Sequence, residues 1–224
     1  MSPRVTRISL VQQGIIAQNE FAKLLMMGSG GLIELAAPLS DEERRDFEVH
    51  LHGMFGSALA VQVKSVMQLA HLSRNARYLR TRISVRASRL VSHPLFWYFL
   101  AFLDPKTMRF ADPTFLVPSL QLHEAANPAR RGEFWNFTFE ASMEPGSHDR
   151  WVPNRVNTVD LGKRAVSIMR AQASSLPRSR ISPSPGRGSL PPPLAGEGRV
   201  GAGGGAVGVG PLLALPDVVL LRKH

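Results

Sequence analysis

Two residues apart in a short apolar run, Leu59-Ala-Val-Gln-Val-Lys-Ser65, stand an amide and an amine. In an extended strand successive side chains point to opposite faces, so Gln62 and Lys64 share a face with Ala60, while Leu59, Val61 and Val63 share the other. One face suits a core and the other suits chemistry. Upstream, Asp46-Phe-Glu-Val-His-Leu-His52 alternates in the same way, with Phe47, Val49 and Leu51 on one side and Asp46, Glu48, His50 and His52 on the other. Asp46 offers an anionic oxygen and Gln62 a neutral carbonyl oxygen. That pair suits Mg²⁺, which prefers oxygen ligands and often takes only one or two carboxylates beside waters and substrate phosphates; Mn²⁺ accepts the same donors. Lys64 can orient a water or neutralise charge that develops on a phosphate under attack. Glu20 is the fourth candidate. It lies one helical turn from Ile16 and from Leu24, on or beside an apolar stripe, where a carboxylate needs a partner.

These residues need elements to position them. Val11, Ile15, Ala17, Phe21, Leu24 and Leu25 recur at helical spacing and predict a helix over about Ser9 to Met27, ended by Gly28-Ser-Gly-Gly31. Leu32 to Ala37 reads as a short strand closed by Pro38. Residues 46–64 read as a hairpin, turning at Gly53-Met-Phe-Gly-Ser57. The pattern then weakens. It predicts a strand around Tyr78 to Val85, a short helix around Ala87 to Ser92 and a buried strand from Phe96 to Leu103. The turn Asp104-Pro-Lys-Thr107 joins that strand to Met108 to Phe110. Trp135 to Phe139 is a further strand candidate, and Val159 to Gln172 reads as a closing helix. Trp97, Tyr98, Trp135 and Trp151 fit core and rim packing better than base stacking.

A helical glutamate, an aspartate opening the second strand and Gln-x-Lys on the third resembles the PD-(D/E)xK or restriction-endonuclease-like superfamily. More narrowly, Asp46-Phe-Glu-Val with Val61-Gln-Val-Lys-Ser65 is similar to an uncharacterised bacterial branch in which glutamine replaces the usual acid. The resemblance spans about residues 9 to 110. It implies an α/β fold with an α-β-β-β-α-β core and a central mixed sheet flanked by helices. It further implies Asp46 and Gln62 as metal ligands, Lys64 as the catalytic lysine and Glu20 as a supporting acid. The activity implied is Mg²⁺-dependent hydrolysis of backbone phosphodiesters, in DNA more than RNA. Arg45 stands where the family often has proline before the aspartate. On this reading Arg74, Arg77, Arg80, Arg82, Arg86 and Arg89 form a strip facing nucleic acid, since phosphate contacts dominate non-specific affinity. The plainer alternatives are an ordinary solvated arginine surface, an edge strand whose Lys64 blocks unwanted pairing, a solvated Glu20 and rim histidines. The rival function is a catalytically silent module that keeps the fold and binds nucleic acid or a protein.

Composition bounds these readings. The 224 residues suffice for one well-packed domain. With 27 Lys+Arg against 17 Asp+Glu, the formal charge of +10 suits a polyanionic partner. The lack of cysteine excludes disulfides and thiolate chemistry and is compatible with a reducing, cytoplasmic setting. No signal peptide or membrane span is expected: Gln12 and Gln13 interrupt the first apolar run, and the run at Leu95 to Leu103 is about half the roughly 20 residues a span requires. A homodimer is compatible with all of this. The chain changes character near Ala173. Residues 174–224 hold 8 of the 17 prolines and 10 of the 19 glycines, so the domain reads as 1–173 and the remainder as a disordered tail. Within that tail, Leu190-Pro-Pro-Pro-Leu-Ala-Gly-Glu-Gly-Arg199 resembles read-through of short bacterial intergenic repeats, the alternative being a proline-rich ligand arm.

Overall fold

A computed structural model describes residues 8–38, 45–54, 58–73 and 76–175. The tail from 176 onward, most of the charged link after Pro38, the tip of the hairpin turn and Arg74 lie outside the described residues. So do the expectations attached to them.

Helix α1 spans Leu10–Gly28 and starts at a capping box: Ser9 Oγ accepts the Gln12 N–H at 3.2 Å and Gln12 Oε1 accepts the Ser9 N–H at 2.8 Å. Two of the donors that every helix start leaves orphaned are thereby satisfied. Its buried face carries Ala17, Phe21 and Leu25, with Ile16 and Leu24 packed alongside. The stripe that the spacing predicts differs in part from this face. Val11 and Ile15 are 72% and 53% exposed, and the reason is geometric: Ile15 sits two residues, about 200°, from Ala17 around the helix. Gly30 and Gly31 adopt φ of 65° and 80°, left-handed values that a side chain would resist, and turn the chain into the first strand.

Ten strands follow: β1 Ile33–Ala36, β2 Phe47–Leu51, β3 Ala58–Val66, β4 Ala70–Ser73, β5 Ala76–Arg86, β6 Phe96–Asp104, β7 Arg109–Pro118, β8 Ala129–Arg131, β9 Phe134–Ser142 and β10 Arg155–Val156. Helix α2 covers Ser119–Ala125 and α3 covers Leu161–Ser175. A six-stranded sheet has the order β1-β2-β3-β6-β7-β10, and a four-stranded sheet the order β4-β5-β9-β8. All pairs are antiparallel except β3 with β6, which run parallel with Val61 opposite Trp97. The chain is therefore mixed α/β with a central mixed sheet. Helices α1 and α3 cover one face of that sheet, and their core includes Phe21, Leu25, Val61, Phe99, Leu161 and Ala165. The second sheet and α2 cover the other, packing Leu79, Ile83, Phe137 and Phe139 on Tyr98, Leu100, Phe115 and Val117. Strand β6 is buried from both sides, which is why it reads as one continuous apolar run.

The expected elements are largely present, with three differences. The short helix over Ala87 to Ser92 is a single 3-10 turn, Ala87–Arg89, so the parallel crossover from β3 to β6 travels through β4 and β5. Strand β7 continues well past Phe110, through a cis Asp112–Pro113 bond whose polar and imino residues break the apolar pattern. Helix α2 and strands β4, β8 and β10 are elements the sequence pattern does not predict, being too short to show a period. No described helix is long and apolar enough to cross a membrane.

Two packing features carry measurable consequences. Gly28 at the end of α1 meets Gly162 at the start of α3 backbone to backbone: a Cβ on Gly162 would lie 2.2 Å from Ser29 N and 2.3 Å from the Gly28 carbonyl carbon. His123 of α2 sits between the sheets, 9% exposed, with Nδ1 2.6 Å from Ser92 Oγ, Nε2 3.0 Å from Tyr98 Oη and its ring stacked on Phe137 at 4.6 Å. Burial pushes its pKa down to about 4.

Gly162→Ala is expected to cost about 3 kcal/mol through overpacking and to lower Tm by roughly 6–12 °C. By contrast Gly14→Ala, whose Cβ would meet nothing within 4 Å, should raise stability by about 0.5–1 kcal/mol. Calorimetry on both variants checks this. The depressed His123 pKa makes stability full above the unfolded-state value of 6.5, falling as pH drops from there toward about 4. The loss is on the order of 3 kcal/mol. Thermal unfolding across that window should fall more steeply for the wild type than for His123→Gln, with the difference vanishing above about pH 7.

Candidate active site

Strand β2 pairs with β3 from His50 opposite Ala58 to Phe47 opposite Val61 and then turns away. The last ladder bond is Asp46 N–H to Val61 O at 2.9 Å. Alternation aims the next N–H on that edge of β3, that of Val63, at a strand that has left, and a buried backbone donor needs a partner. Asp46 supplies it. Its Oδ2 accepts the Val63 N–H at 2.6 Å, which holds the carboxylate against the backbone between Gln62 and Lys64. Its Oδ1 accepts Nε2 of Gln18 on α1 at 2.8 Å. One step further along the same edge, the Ser65 carbonyl and Oγ accept Nε2 of Gln13 at 2.8 and 3.1 Å. Two side-chain amides from one helix thus help satisfy the edge that β2 leaves open.

Gln62 and Lys64 share the face of Ala60 and Val66, both of which pack toward the core between the sheets. Gln62 lies beside Tyr98 and Lys64 beside Leu100 of β6. Gln62 is 5% exposed and Lys64 is half-buried. The alternative of a solvated edge strand is overturned, because β3 lies between β2 and β6.

The other candidates separate from this cluster. Glu20 pairs with Lys23 one turn along α1, and it lines a cavity of about 550 Å³ with Leu24, Arg109, Phe110 and Val159. The α1 side chain bonded to Asp46 is Gln18. Glu48 pairs with Arg45 at 2.7 Å and lies 3.6 Å from His50 Nε2, and His52 Nδ1 lies 3.5 Å from Glu34. Among the described residues no group of three or more His, Cys, Asp and Glu side chains could hold a metal ion. By their chemistry Asp46 and Gln62 offer a carboxylate and a neutral amide oxygen, the donor types that a hard cation takes.

The arginine strip also resolves. Leu79, Ile83 and Val85 of β5 point into the core, so Arg80, Arg82 and Arg86 point outward from the second sheet. Arg77 has the opposite parity and pairs with Glu144 at 3.1 Å. Arg89 is exposed on the 3-10 turn, and Arg74 lies outside the described residues.

Sequence reasoning missed Gln13 and Gln18. The available signal was weak: Gln13 is one turn before buried Ala17, a polar residue on an otherwise apolar face.

The architecture so far defined is a mixed α/β domain whose central sheet opens at a polar notch. No protein-family model matches the chain, and no curated protein matches it. Among solved structures it is similar to a bacterial homing endonuclease, I-Ssp6803I, with 15% identity and a TM-score of 0.43 over 75% of this chain and 98% of that one.

Gln18→Ala removes a donor to a carboxylate and is expected to cost about 1.5–3 kcal/mol, a fall in Tm of roughly 3–12 °C. Gln18→Asn, too short to reach, should resemble it, and denaturant melts of the two variants check the assignment.

Proposed function

We propose that this chain is a metal-dependent phosphodiesterase of nuclease type, of the PD-(D/E)xK kind, hydrolysing backbone phosphodiesters of DNA. Supporting this reading is one observation: the Asp46 carboxylate is bonded to the backbone N–H that lies between Gln62 and Lys64. A carboxylate, an amide and an amine then lie on neighbouring backbone positions, on a chain of net charge +10 that attracts polyanions.

In this reading Asp46 and Gln62 hold Mg²⁺ or Mn²⁺, which would polarise the scissile phosphate and lower the pKa of a water. Val63 N–H and Gln18 fix the direction of the Asp46 lone pairs, so the carboxylate needs little reorganisation when substrate arrives. Lys64, two residues from Gln62 on the same face, neutralises charge that develops on the phosphate oxygens. Its partial burial strengthens that interaction by lowering the local dielectric. Glu20, engaged with Lys23, has no role in the reaction as proposed.

A second reading, a module without catalysis that binds nucleic acid or a protein, is favoured by Gln62 standing where the resemblance would put a second acid. Cleavage separates the two. With Mg²⁺ or Mn²⁺ and a panel of linear, supercoiled, single-stranded and branched DNA, the wild type is expected to yield products. Asp46→Ala and Lys64→Ala are expected to lose at least roughly 100-fold in rate while retaining DNA. Unchanged cleavage by folded Lys64→Ala removes the lysine from the site. DNA retention with no products from the wild type establishes the silent module.

A further inference from the structure

The second sheet buries only one of its faces. On β9, Phe137, Phe139 and Ala141 join the core, which leaves Phe134, Asn136, Thr138 and Glu140 outward. Across from them on β5, the register sets Arg80 opposite Glu140, Arg82 opposite Thr138, Ser84 opposite Asn136 and Arg86 opposite Phe134. Arg131 of β8 extends the row, opposite Phe134 on its other side.

We infer that this outer face reads base edges in the major groove of duplex DNA. The inference rests on the choice of DNA in the proposed function and is independent of cleavage. Three observations carry it. The first is charge: Arg80, Arg82, Arg86 and Arg131 face outward against Glu140, with Glu133 in the adjoining turn. Arg80 is paired with Glu140 and Arg86 lies 3.9 Å from Glu133, whereas Arg82 and Arg131 make no ion pair among the described residues.

The second is residue type. Phosphates are gripped by arginine, lysine, hydroxyl and amide side chains alike, and those contacts fix register without carrying sequence information. This face carries no lysine and interleaves arginine with Ser84, Asn136 and Thr138. Arginine bonds bidentately to guanine O6 and N7, asparagine to adenine N6 and N7, and hydroxyls to either. Arg86 is already aimed, its guanidinium 5.8 Å from the centroid of the Phe134 ring.

The third is size. The β5–β9 ribbon is paired over nine positions, Tyr78 to Arg86, about 27 Å at ~3.3 Å per residue. The strands outside it are short, β4 with four residues and β8 with three. A two-stranded ribbon fits the major groove, which is about 12 Å wide, and sheet readers dock there by this geometry.

The test uses the full chain and a pool of duplexes with a randomised core, selected by binding at physiological salt and then measured by anisotropy. The expected result is an enriched motif. Arg82→Ala and Asn136→Ala should weaken binding to the selected duplex roughly 5- to 100-fold and to random duplex by less than about threefold, with Tm unchanged. Arg82→Lys should not restore the preference, since the bidentate fork is lost. An unenriched pool, equal losses on selected and random duplex, or tighter binding of RNA would overturn the inference. Asp46→Ala keeps the two proposals apart. If the wild type binds the selected duplex but never cuts it, the nuclease reading fails and this one stands; cutting without an enriched motif gives the reverse.

Discussion

The hydrogen bond from Val63 N–H to the Asp46 carboxylate is the point on which the site depends. When neighbouring strands of a sheet diverge, the groups that joined them are orphaned, and here an acidic side chain takes the place of a backbone carbonyl. Charge is thereby brought to the middle of a sheet, where it would otherwise be costly. The two glutamines of α1 complete the arrangement: Gln13 donates to the Ser65 carbonyl of β3, and Gln18 donates to the Asp46 carboxylate. One local divergence produces a fixed carboxylate and a reason for the helix to lie where it does.

The second constraint is the burial of β6 on both faces. A strand with Tyr98, Leu100, Phe99 and Leu103 all at or near zero exposure needs cover on each side. The helices supply one cover and the second sheet the other. That second cover changes the character of Gln62 and Lys64, whose face is walled by a neighbouring sheet. It also turns the arginines of β5 outward, since the alternate residues are needed for the core.

Much of this was legible in the sequence. Strict alternation gave the β2–β3 hairpin and the face that Gln62 and Lys64 share, because a period of two survives whatever covers the strand. The continuous run at β6 gave its burial because a strand covered on both faces shows no alternation. What stayed hidden depended on contacts between distant segments. Val11 and Ile15 are apolar yet outward, and Gln13 is polar yet inward, because the edge it serves is 52 positions away. The arginines showed a cluster but not a face, since that division requires knowing that β5 belongs to a second sheet. His123 carried no pattern at all: one histidine in a seven-residue helix acquires its meaning only from Ser92, Tyr98 and Phe137 around it.

The backbone contact between Gly28 and Gly162 links the first helix to the last. Gln13 reaches Ser65 and Gln18 reaches Asp46 from a helix whose C-terminal end rests against a segment far downstream. The surroundings of Asp46 and β3 therefore draw on both ends of the described chain, and whatever unseats α1 from Gly162 also moves the amides that serve them.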